Sequence, residues 1–259
     1  MSASRFLVRG LLAGLLAGIA AFGVAYVIGE PSVTAAIALE ESVPADQATH
    51  SHQDQTAPTA TGDGAVIPRS LQSTLGLLTA TVVAGVTLGG LFGVLGGIAL
   101  GRFGSVSVRA TMLGATAAGF VTLYGVPFLA YPPNPPGVGS GDTIEARTAS
   151  YFLLVAISVL AAVVAVLAGR SLHPRIGGWY AWLTGLAAYL VLSLAAVALM
   201  PHFDEVPARF PATVLYDFRT ASFIIQLSLW TVLGLALAEL VHRLLVGSAA
   251  PGRNDHVKA

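Results

Sequence analysis

The sequence contains no cysteine and little charge. Its 259 residues carry 13 basic and 13 acidic side chains, 10% in all, while 55% are hydrophobic and the mean hydropathy is +0.76. Soluble domains carry about 25% charged residues, so this composition excludes a water-soluble globular domain. Without cysteine, disulfides and thiolate sites are excluded, and a metal can bind only through nitrogen and oxygen. Lys258 is the only lysine and no basic patch stands out, which argues against a nucleic-acid partner.

Motifs for hydrolysis are missing too. The chain has no G-x-x-x-x-G-K-[ST], no H-E-x-x-H and no G-x-S-x-G. Any coupling to ATP would therefore have to come from another protein. We predict that the chain is not an enzyme and that it holds no cofactor.

Long apolar runs dominate the sequence. A helix needs about 20 apolar residues to cross the roughly 30 Å hydrocarbon core of a membrane. The runs that qualify are Phe6–Ile28, Leu75–Leu100, Ala110–Ala130, Tyr151–Ala168, Trp179–Met200 and Ala221–Val246. They predict an all-α, polytopic integral membrane protein with six transmembrane helices, in which residues 1–259 form a single membrane domain. Because Gly119, Gly125 and Pro127 interrupt the third run, five spans with a re-entrant third segment are the alternative.

Basic residues predict the orientation of the chain. With six spans and both termini in the cytoplasm, nine of the thirteen basic residues lie inside, in agreement with the positive-inside rule. The first apolar run is longer than the 7–15 residues typical of a signal peptide, so we interpret it as a retained anchor. Residues 29–70 then form an outer loop, with a short helix over Pro31–Glu41 and expected disorder over residues 44–66. Near the predicted cytoplasmic end of the sixth run, Glu239 and Arg243 are expected to pair.

Glycine recurs every four residues in the first two runs. The second run has Gly85, Gly89, Gly93, Gly97 and Gly101 on one stripe, and the first run has Gly10, Gly14 and Gly18. In lipid such stripes let helix backbones approach closely, because packing rather than hydrophobicity drives association there. We predict helix–helix packing within one bundle. A seam with a partner subunit or a moving interface is the alternative.

Two histidines lie in the predicted outer loop. His50 and His52 are flanked by Asp46 and Asp54, and this combination of imidazole and carboxylate suits cobalt, nickel or zinc. Glu30 adds a carboxylate at the end of the first run. A solvated linker and an ordinary surface charge are the alternatives. The functional interpretation is a vestibule that collects cations.

Further candidates follow the third and fifth runs. His202, Asp204 and Glu205 come directly after the fifth run, on the same predicted outer face of the membrane as His50 and His52. They are interpreted either as metal ligands or as a polar cap at the membrane interface. Tyr131–Gly137 contains four prolines, which force extended or turn backbone. The Asn134 side chain is then available to contact another group. Non-helical backbone survives at membrane depth only where it is buried in protein or lines a wet cavity. A segment that dips into the bilayer would therefore mark a path; otherwise it is a rigid outer loop.

Three stretches of the chain resemble the CbtA family of predicted bacterial cobalt transporter subunits. They are RFLVRGLLAGLLAGIAAFGVAYVIGEPSVTAAIALEE, then VPFLAYPPNPPGVG followed by DTIEARTASYF, and finally VPARFPATVLYDFRTASFIIQLSLWTVLG. The most specific parts are Gly29-Glu30-Pro31, the Pro-Pro-Asn-Pro-Pro run and Phe218-Arg219. The resemblance implies a cobalt-uptake component linked to cobalamin synthesis that works beside CbtB, a small single-span partner with a His-rich terminus. Family members are commonly His-rich in the first outer loop, whereas this chain has only two histidines there, and the family is usually described with five spans.

These observations together predict entry of a divalent transition-metal cation, foremost cobalt, across the bacterial cytoplasmic (inner) membrane. The predicted metal-binding residues are Glu30, His50, His52, Asn134, His202, Asp204 and Glu205. The predicted partners are the metal ion, membrane lipid and a CbtB-like subunit. One alternative is a non-transporting assembly subunit or metal sensor. Another is a membrane enzyme or carrier acting on a lipid, which would need a polar catalytic cluster that the sequence does not show.

Overall fold

Helices are the only regular elements in the part of the chain that the structure describes. The structure is a computed structural model and describes residues 2–42, 71–102 and 106–249. The α-helices are α1 (Ala3–Val24), α2 (Glu30–Ser42), α3 (Leu77–Ala99), α4 (Val108–Phe120), α5 (Val126–Ala130), α6 (Ile144–Ile176), α7 (Gly178–Leu199) and α8 (Ala212–Ala249). Turns of π-helix, at Ala25–Gly29, Gln72–Gly76 and Val121–Gly125, precede α2, α3 and α5. The all-α prediction and the short helix after the first run are thus confirmed, while the expected disorder of residues 44–66 falls outside the described residues.

Six helical stretches are long and apolar enough to cross a membrane. They are Ala3–Ser42, Ser73–Ala99, Val108–Ala130, Gly141–Ile176, Gly178–Leu199 and Ala212–Val246. The third predicted run therefore forms a full-length helix rather than a re-entrant segment. Its interruptions are absorbed locally, because Pro127 lies in the first turn of α5 directly after a π-helical turn, where a missing N–H group is least disruptive. The cytoplasmic placement of both termini stays a prediction.

The chain divides into two compact units. Among the described residues, the first unit consists of residues 2–24, 71–102, 106–118 and 227–249, and the second of residues 25–42 and 119–226. Helices α1 and α3 belong to the first unit, whereas α2, α5, α6 and α7 belong to the second. The prediction of a single membrane domain stays a prediction.

In the first unit the two glycine stripes lie against each other. A Cβ atom placed on Gly14 would lie 2.7 Å from the carbonyl carbon of Gly85 and 2.8 Å from the Cα of Val86. Backbone atoms cannot move aside as a side chain can, so only glycine fits this contact between α1 and α3. Packing within one bundle is confirmed. The stripe stops before Gly101, however, because α3 ends at Ala99 and Gly101 adopts a φ of +73° in the turn that follows, so its predicted place on the stripe is wrong.

The second unit is built on the hairpin of α6 and α7. A Cβ atom on Gly185 would lie 2.8 Å from the carbonyl oxygen of Ala165, so these two helices also approach closely. The hydroxyl groups of Ser158 and Tyr189 share a buried hydrogen bond of 3.0 Å across the same interface. The apolar core around it comprises Val126, Leu154, Ala161, Ala165, Tyr189 and Ala196. Gly177 makes the turn between the helices with a φ of +78°, which glycine adopts without strain.

Aromatic side chains hold the first part of α8 within the second unit. Phe223 packs against the rings of Phe120, Tyr124 and Phe128, with ring centroids 5.4–6.2 Å apart. Such separations suit edge and offset contacts between aromatic rings. The part of α8 around Phe223 is thereby fixed beside the end of α4, the π-helical turn and α5.

Candidate functional site

Two non-helical segments meet at one end of the second unit. We define this loop end as residues 131–143 and 200–211, with the last turn of α2, the first turn of α6 and the first two turns of α8. The Tyr131 hydroxyl donates a hydrogen bond of 2.9 Å to the carbonyl oxygen of Pro201. A Cβ atom on Gly137 would lie 3.7 Å from the Cβ of Glu40, so the end of α2 adjoins the same surface.

The proline-rich segment is rigid and packed into this end of the unit. Its prolines fix the backbone and remove amide donors, which explains why α5 stops at Ala130. The Pro135 side chain is among the fully buried ones, and the Val138 amide closes a turn onto the Pro135 carbonyl oxygen at 3.2 Å. Gly139 has a φ of +126°, and a Cβ atom there would lie 2.9 Å from the guanidinium of Arg147. The segment is therefore irregular backbone that is half-buried along most of its length and fully buried at Pro135.

Glu205 is bound by the loop and by α6. Its carboxylate forms an ion pair of 3.2 Å with Arg147, and it accepts a hydrogen bond of 3.1 Å from the Ser140 amide. The Thr143 hydroxyl donates to its other oxygen. The side chains of Glu205 and Arg147 are only 12% and 26% exposed. Glu205 therefore connects the 200–211 segment with the loop that precedes α6.

Asn134 is bound by a second arginine. The Arg219 guanidinium donates a hydrogen bond of 2.9 Å to the Asn134 side-chain oxygen. The Nε atom of Arg219 is buried and has no hydrogen-bond partner among the described residues. This contact brings together two of the sequence stretches that carry the family resemblance, although they lie 85 residues apart.

Sequence reasoning missed the roles of both arginines. A signal for them exists: neither Arg147 nor Arg219 has a carboxylate three or four residues away, where a helical partner would lie. Each arginine also stands within four residues of an apolar run, where an unpaired charge is costly. Such an arginine needs a partner elsewhere in the fold, and Glu205 and Asn134 provide it.

The other predicted metal ligands are placed differently. His202 and Asp204 are exposed in the 200–211 segment, and Glu30 is half-buried in the first turn of α2. His50 and His52 lie outside the described residues. Within the described ranges, no group of three or more histidine, aspartate or glutamate side chains is close enough together to hold a metal ion. The set of metal ligands therefore stays a prediction.

Negative charge predominates at the loop end. Its carboxylates are Glu40, Glu41, Asp142, Glu145, Asp204, Glu205 and Asp217, and its arginines are Arg147, Arg209 and Arg219. All of these carboxylates except Glu205 are exposed. Carboxylates that surround one surface raise the local concentration of cations, most strongly at low ionic strength.

In the first unit a separate charge cluster confirms one prediction. Glu239 pairs with Arg243 at 2.6 Å, as expected from their spacing. Arg109 of α4 adds a second ion pair with Glu239 at 2.8 Å, which the sequence did not indicate. All three side chains are at least 39% exposed, so we assign them a structural role at a helix end.

The six apolar helices define a multi-pass membrane protein. The model of the CbtA family, described as a probable cobalt transporter subunit, matches residues 3–242, and the chain belongs to this family. The family is thus one of transporter subunits, and the resemblance seen in the sequence is confirmed. No curated protein and no solved structure is significantly similar to the chain.

Proposed function

We propose that the chain takes up cobalt across the bacterial cytoplasmic membrane and thereby supplies cobalamin synthesis. Membership of a family of probable cobalt transporter subunits supports the choice of ion. The observation in the structure that carries the proposal is the set of exposed carboxylates at the loop end, which stand on a rigid, half-buried backbone. With the loop end facing outward, as the basic residues predict, cations would arrive at this surface.

The physical chemistry of a divalent cation suits such a surface. Carboxylate and imidazole are acceptable ligands for cobalt, and the field of several carboxylates attracts a doubly charged ion more strongly than a singly charged one. An inside-negative potential then favours entry by about 4.6 kcal/mol per 100 mV for two charges, from roughly 2.3 kcal/mol per charge. Accumulation therefore requires no ATP hydrolysis by this chain.

The predicted ligands divide into two roles in this proposal. Asn134 accepts a hydrogen bond from Arg219 and Glu205 forms an ion pair with Arg147, so a cation binding there would have to displace a guanidinium and overcome its repulsion. We assign these two residues to holding the shape of the loop end. His202, Asp204 and Glu30 are the described residues that we propose to contact the cation, and His50 and His52 stay proposed ligands in the outer loop.

The family description as a subunit supports a partner. We propose that the partner is a small CbtB-like protein with a His-rich terminus, which would supply imidazole ligands that the loop end has in small number. The experiment therefore needs two arms. Labelled cobalt, with nickel in parallel, is measured in cells that lack their own uptake systems and express the chain alone or with the partner.

Saturable cobalt uptake above that of vector-only cells supports the proposal and shows whether the chain needs the partner. The variant His202→Ala/Asp204→Ala should lower uptake severalfold at unchanged protein level in the membrane. Arg209→Gln, in the same exposed segment, is the matched control and should not lower uptake. Absence of uptake in both arms, with the protein confirmed in the membrane, would contradict transport and favour a sensor or assembly subunit.

A further inference from the structure

The turn between α6 and α7 is rich in positive charge. Arg170, His173 and Arg175 are all exposed near the end of α6. The sequence contains no carboxylate between Glu145 and Asp204, so no acidic residue of the hairpin neutralises these side chains. Within the described residues, none of the three forms a salt bridge or a side-chain hydrogen bond. This turn therefore differs from the acidic loop end at the other end of α6.

Contacts between the two helices establish which residues share a level on the hairpin. A Cβ atom on Gly169 would lie 3.3 Å from the carbonyl oxygen of Ala181. Arg170 therefore stands at the level of Tyr180 and Trp182, the neighbours of Ala181 in α7. Closer to the turn, a Cβ atom on Gly178 would lie 3.2 Å from the His173 ring, which places the imidazole over the start of α7.

Large aromatic side chains surround this level without being buried. Trp179, Tyr180 and Trp182 are 72%, 64% and 48% exposed. The apolar run Tyr151–Ala168 ends two residues before Arg170, so we expect the aromatic rings and the guanidinium to lie at the edge of the hydrocarbon core. Tryptophan and tyrosine are enriched at this depth, where one end of the ring is apolar and the other contacts headgroups.

We propose that the α6–α7 turn binds the phosphate headgroup of an anionic phospholipid. Arg170 would pair with the phosphate oxygens, as guanidinium groups do when they bind phosphate through paired hydrogen bonds. Trp182 would contact the glycerol and upper acyl chain at the same level. Unlike the transport proposal, this one needs no metal and concerns a different surface of the second unit.

Charge complementarity and the aromatic rings both favour an anionic phospholipid as the molecule that binds at this turn. A zwitterionic lipid has a cationic group beside its phosphate. This group repels the exposed arginines, so the arginines add little to the binding free energy of such a lipid. An anionic lipid gains about 1 kcal/mol per arginine near the membrane surface, a factor of about five in affinity. Free phosphate would make the same ionic contacts but none with the rings.

The test uses the full chain, purified in a neutral detergent and titrated with phosphatidylglycerol or with phosphatidylcholine of the same acyl chains. Retained lipid is counted by native mass spectrometry, and the thermal midpoint is measured in parallel. We expect tighter binding of phosphatidylglycerol than of phosphatidylcholine, and a loss of affinity of about fivefold in Arg170→Gln. Arg209→Gln removes an exposed arginine from the loop end and should change the affinity less than twofold.

Further variants and a further ligand test whether the bound molecule is an anionic phospholipid. Arg170→Lys keeps the charge and should retain most of the preference. Trp182→Leu, which removes the ring proposed to contact the lipid, serves in place of Arg170→Gln if the latter loses its folded midpoint in phosphatidylcholine alone. Equal affinity for both lipids in the wild-type chain would overturn the proposal, as would equal losses in Arg170→Gln and Arg209→Gln. Equal stabilisation by glycerol phosphate, which lacks acyl chains, would show a site for free phosphate and would also overturn it.

Discussion

The two units of this protein use different means of holding helices in place. In the first unit, α1 and α3 meet through glycine, and backbone atoms lie so close that a single methyl group has no room. In the second unit, arginine side chains bind an amide and a carboxylate and thereby fix loops that are not helical. The first arrangement is explained by packing alone. The second uses charged and polar side chains to fix backbone that is not helical.

This difference follows from what each backbone requires in a membrane. Helices satisfy their own hydrogen bonds, so they need only close packing to associate in lipid. The proline-rich segment cannot satisfy its backbone internally, because proline supplies no donor. Side chains such as Arg147 and Glu205 stabilise such a loop from outside, at the expense of burying charge. Polar residues at the loop end are consequently more informative about function than the glycine stripes are.

The largest effect is expected in the glycine contact. Gly14→Ala would place a methyl group 2.7 Å from the carbonyl carbon of Gly85, and overpacking against backbone should cost about 3 kcal/mol of unfolding free energy. Gly23→Ala, in the same helix but with nothing within 4 Å of its Cβ, is the matched control and should be neutral or slightly stabilising. Unfolding of both variants by denaturing detergent measures the difference. Equal stability of the two would mean that α1 and α3 do not touch as the structure shows.

A smaller loss of unfolding free energy is expected from breaking the ion pair between Glu205 and Arg147 in the second unit. Glu205→Gln removes the charge that faces Arg147, whose Nε atom is already buried without an acceptor, and should cost about 2 kcal/mol. Glu41→Gln, at the exposed end of α2, is the control and should change stability by less than about 0.5 kcal/mol. Thermal unfolding in a neutral detergent measures both.

A double-mutant cycle sharpens this prediction. If the two side chains act through each other, adding Arg147→Gln to Glu205→Gln should cost little more than Glu205→Gln alone. Additive losses would show that the pair is not coupled, and Glu205 would return to being a free candidate for metal binding.

The hydrogen bond inside the α6–α7 hairpin should matter less. Tyr189→Phe removes the hydroxyl that meets Ser158 at 3.0 Å, and hydrogen bonds between membrane helices average about 0.6 kcal/mol. Tyr180→Phe on the same helix is the control, because that hydroxyl group belongs to a side chain that is 64% exposed. A cost above about 2 kcal/mol would mean that this hydroxyl pair, like the ion pair of Glu205, holds the second unit together.

The sequence predicts the first unit far better than the loop end. Glycine at intervals of four indicates a close helix contact because the rule is local and periodic, and it fails only at Gly101, where the helix has ended. Apolar length likewise predicts six spanning helices, including the third, whose proline falls where a helix tolerates it. These inferences need no knowledge of which helices are neighbours.

The loop end depends on contacts between distant parts of the chain. Asn134 and Glu205 stand out in the sequence as polar groups beside apolar runs, and this makes them candidates for metal binding. Their arginine partners lie 85 and 58 residues away along the chain, a separation that no local pattern reveals. The sequence therefore marks Asn134 and Glu205 as polar positions beside apolar runs, and only the fold shows that arginines already bind both. Their role as metal ligands stays a prediction.

The smallest expected effect tests whether the exposed charge of the loop end guides a cation. Asp142→Asn, at an exposed carboxylate of the loop end that is not a proposed ligand, should lower the initial rate of cobalt uptake about twofold at subsaturating cobalt. Arg209→Gln should raise the rate by a similar factor, because charges at the rim of a binding surface mainly change association rates. Both effects should shrink when ionic strength rises from 10 to 150 mM, since the screening length falls from about 30 to about 8 Å. A large loss in Asp142→Asn that salt leaves unchanged would instead identify Asp142 as a direct ligand. If both variants move the rate in the same direction, long-range attraction does not operate there, and the carboxylates of the second unit, like the glycines of the first, serve the fold alone.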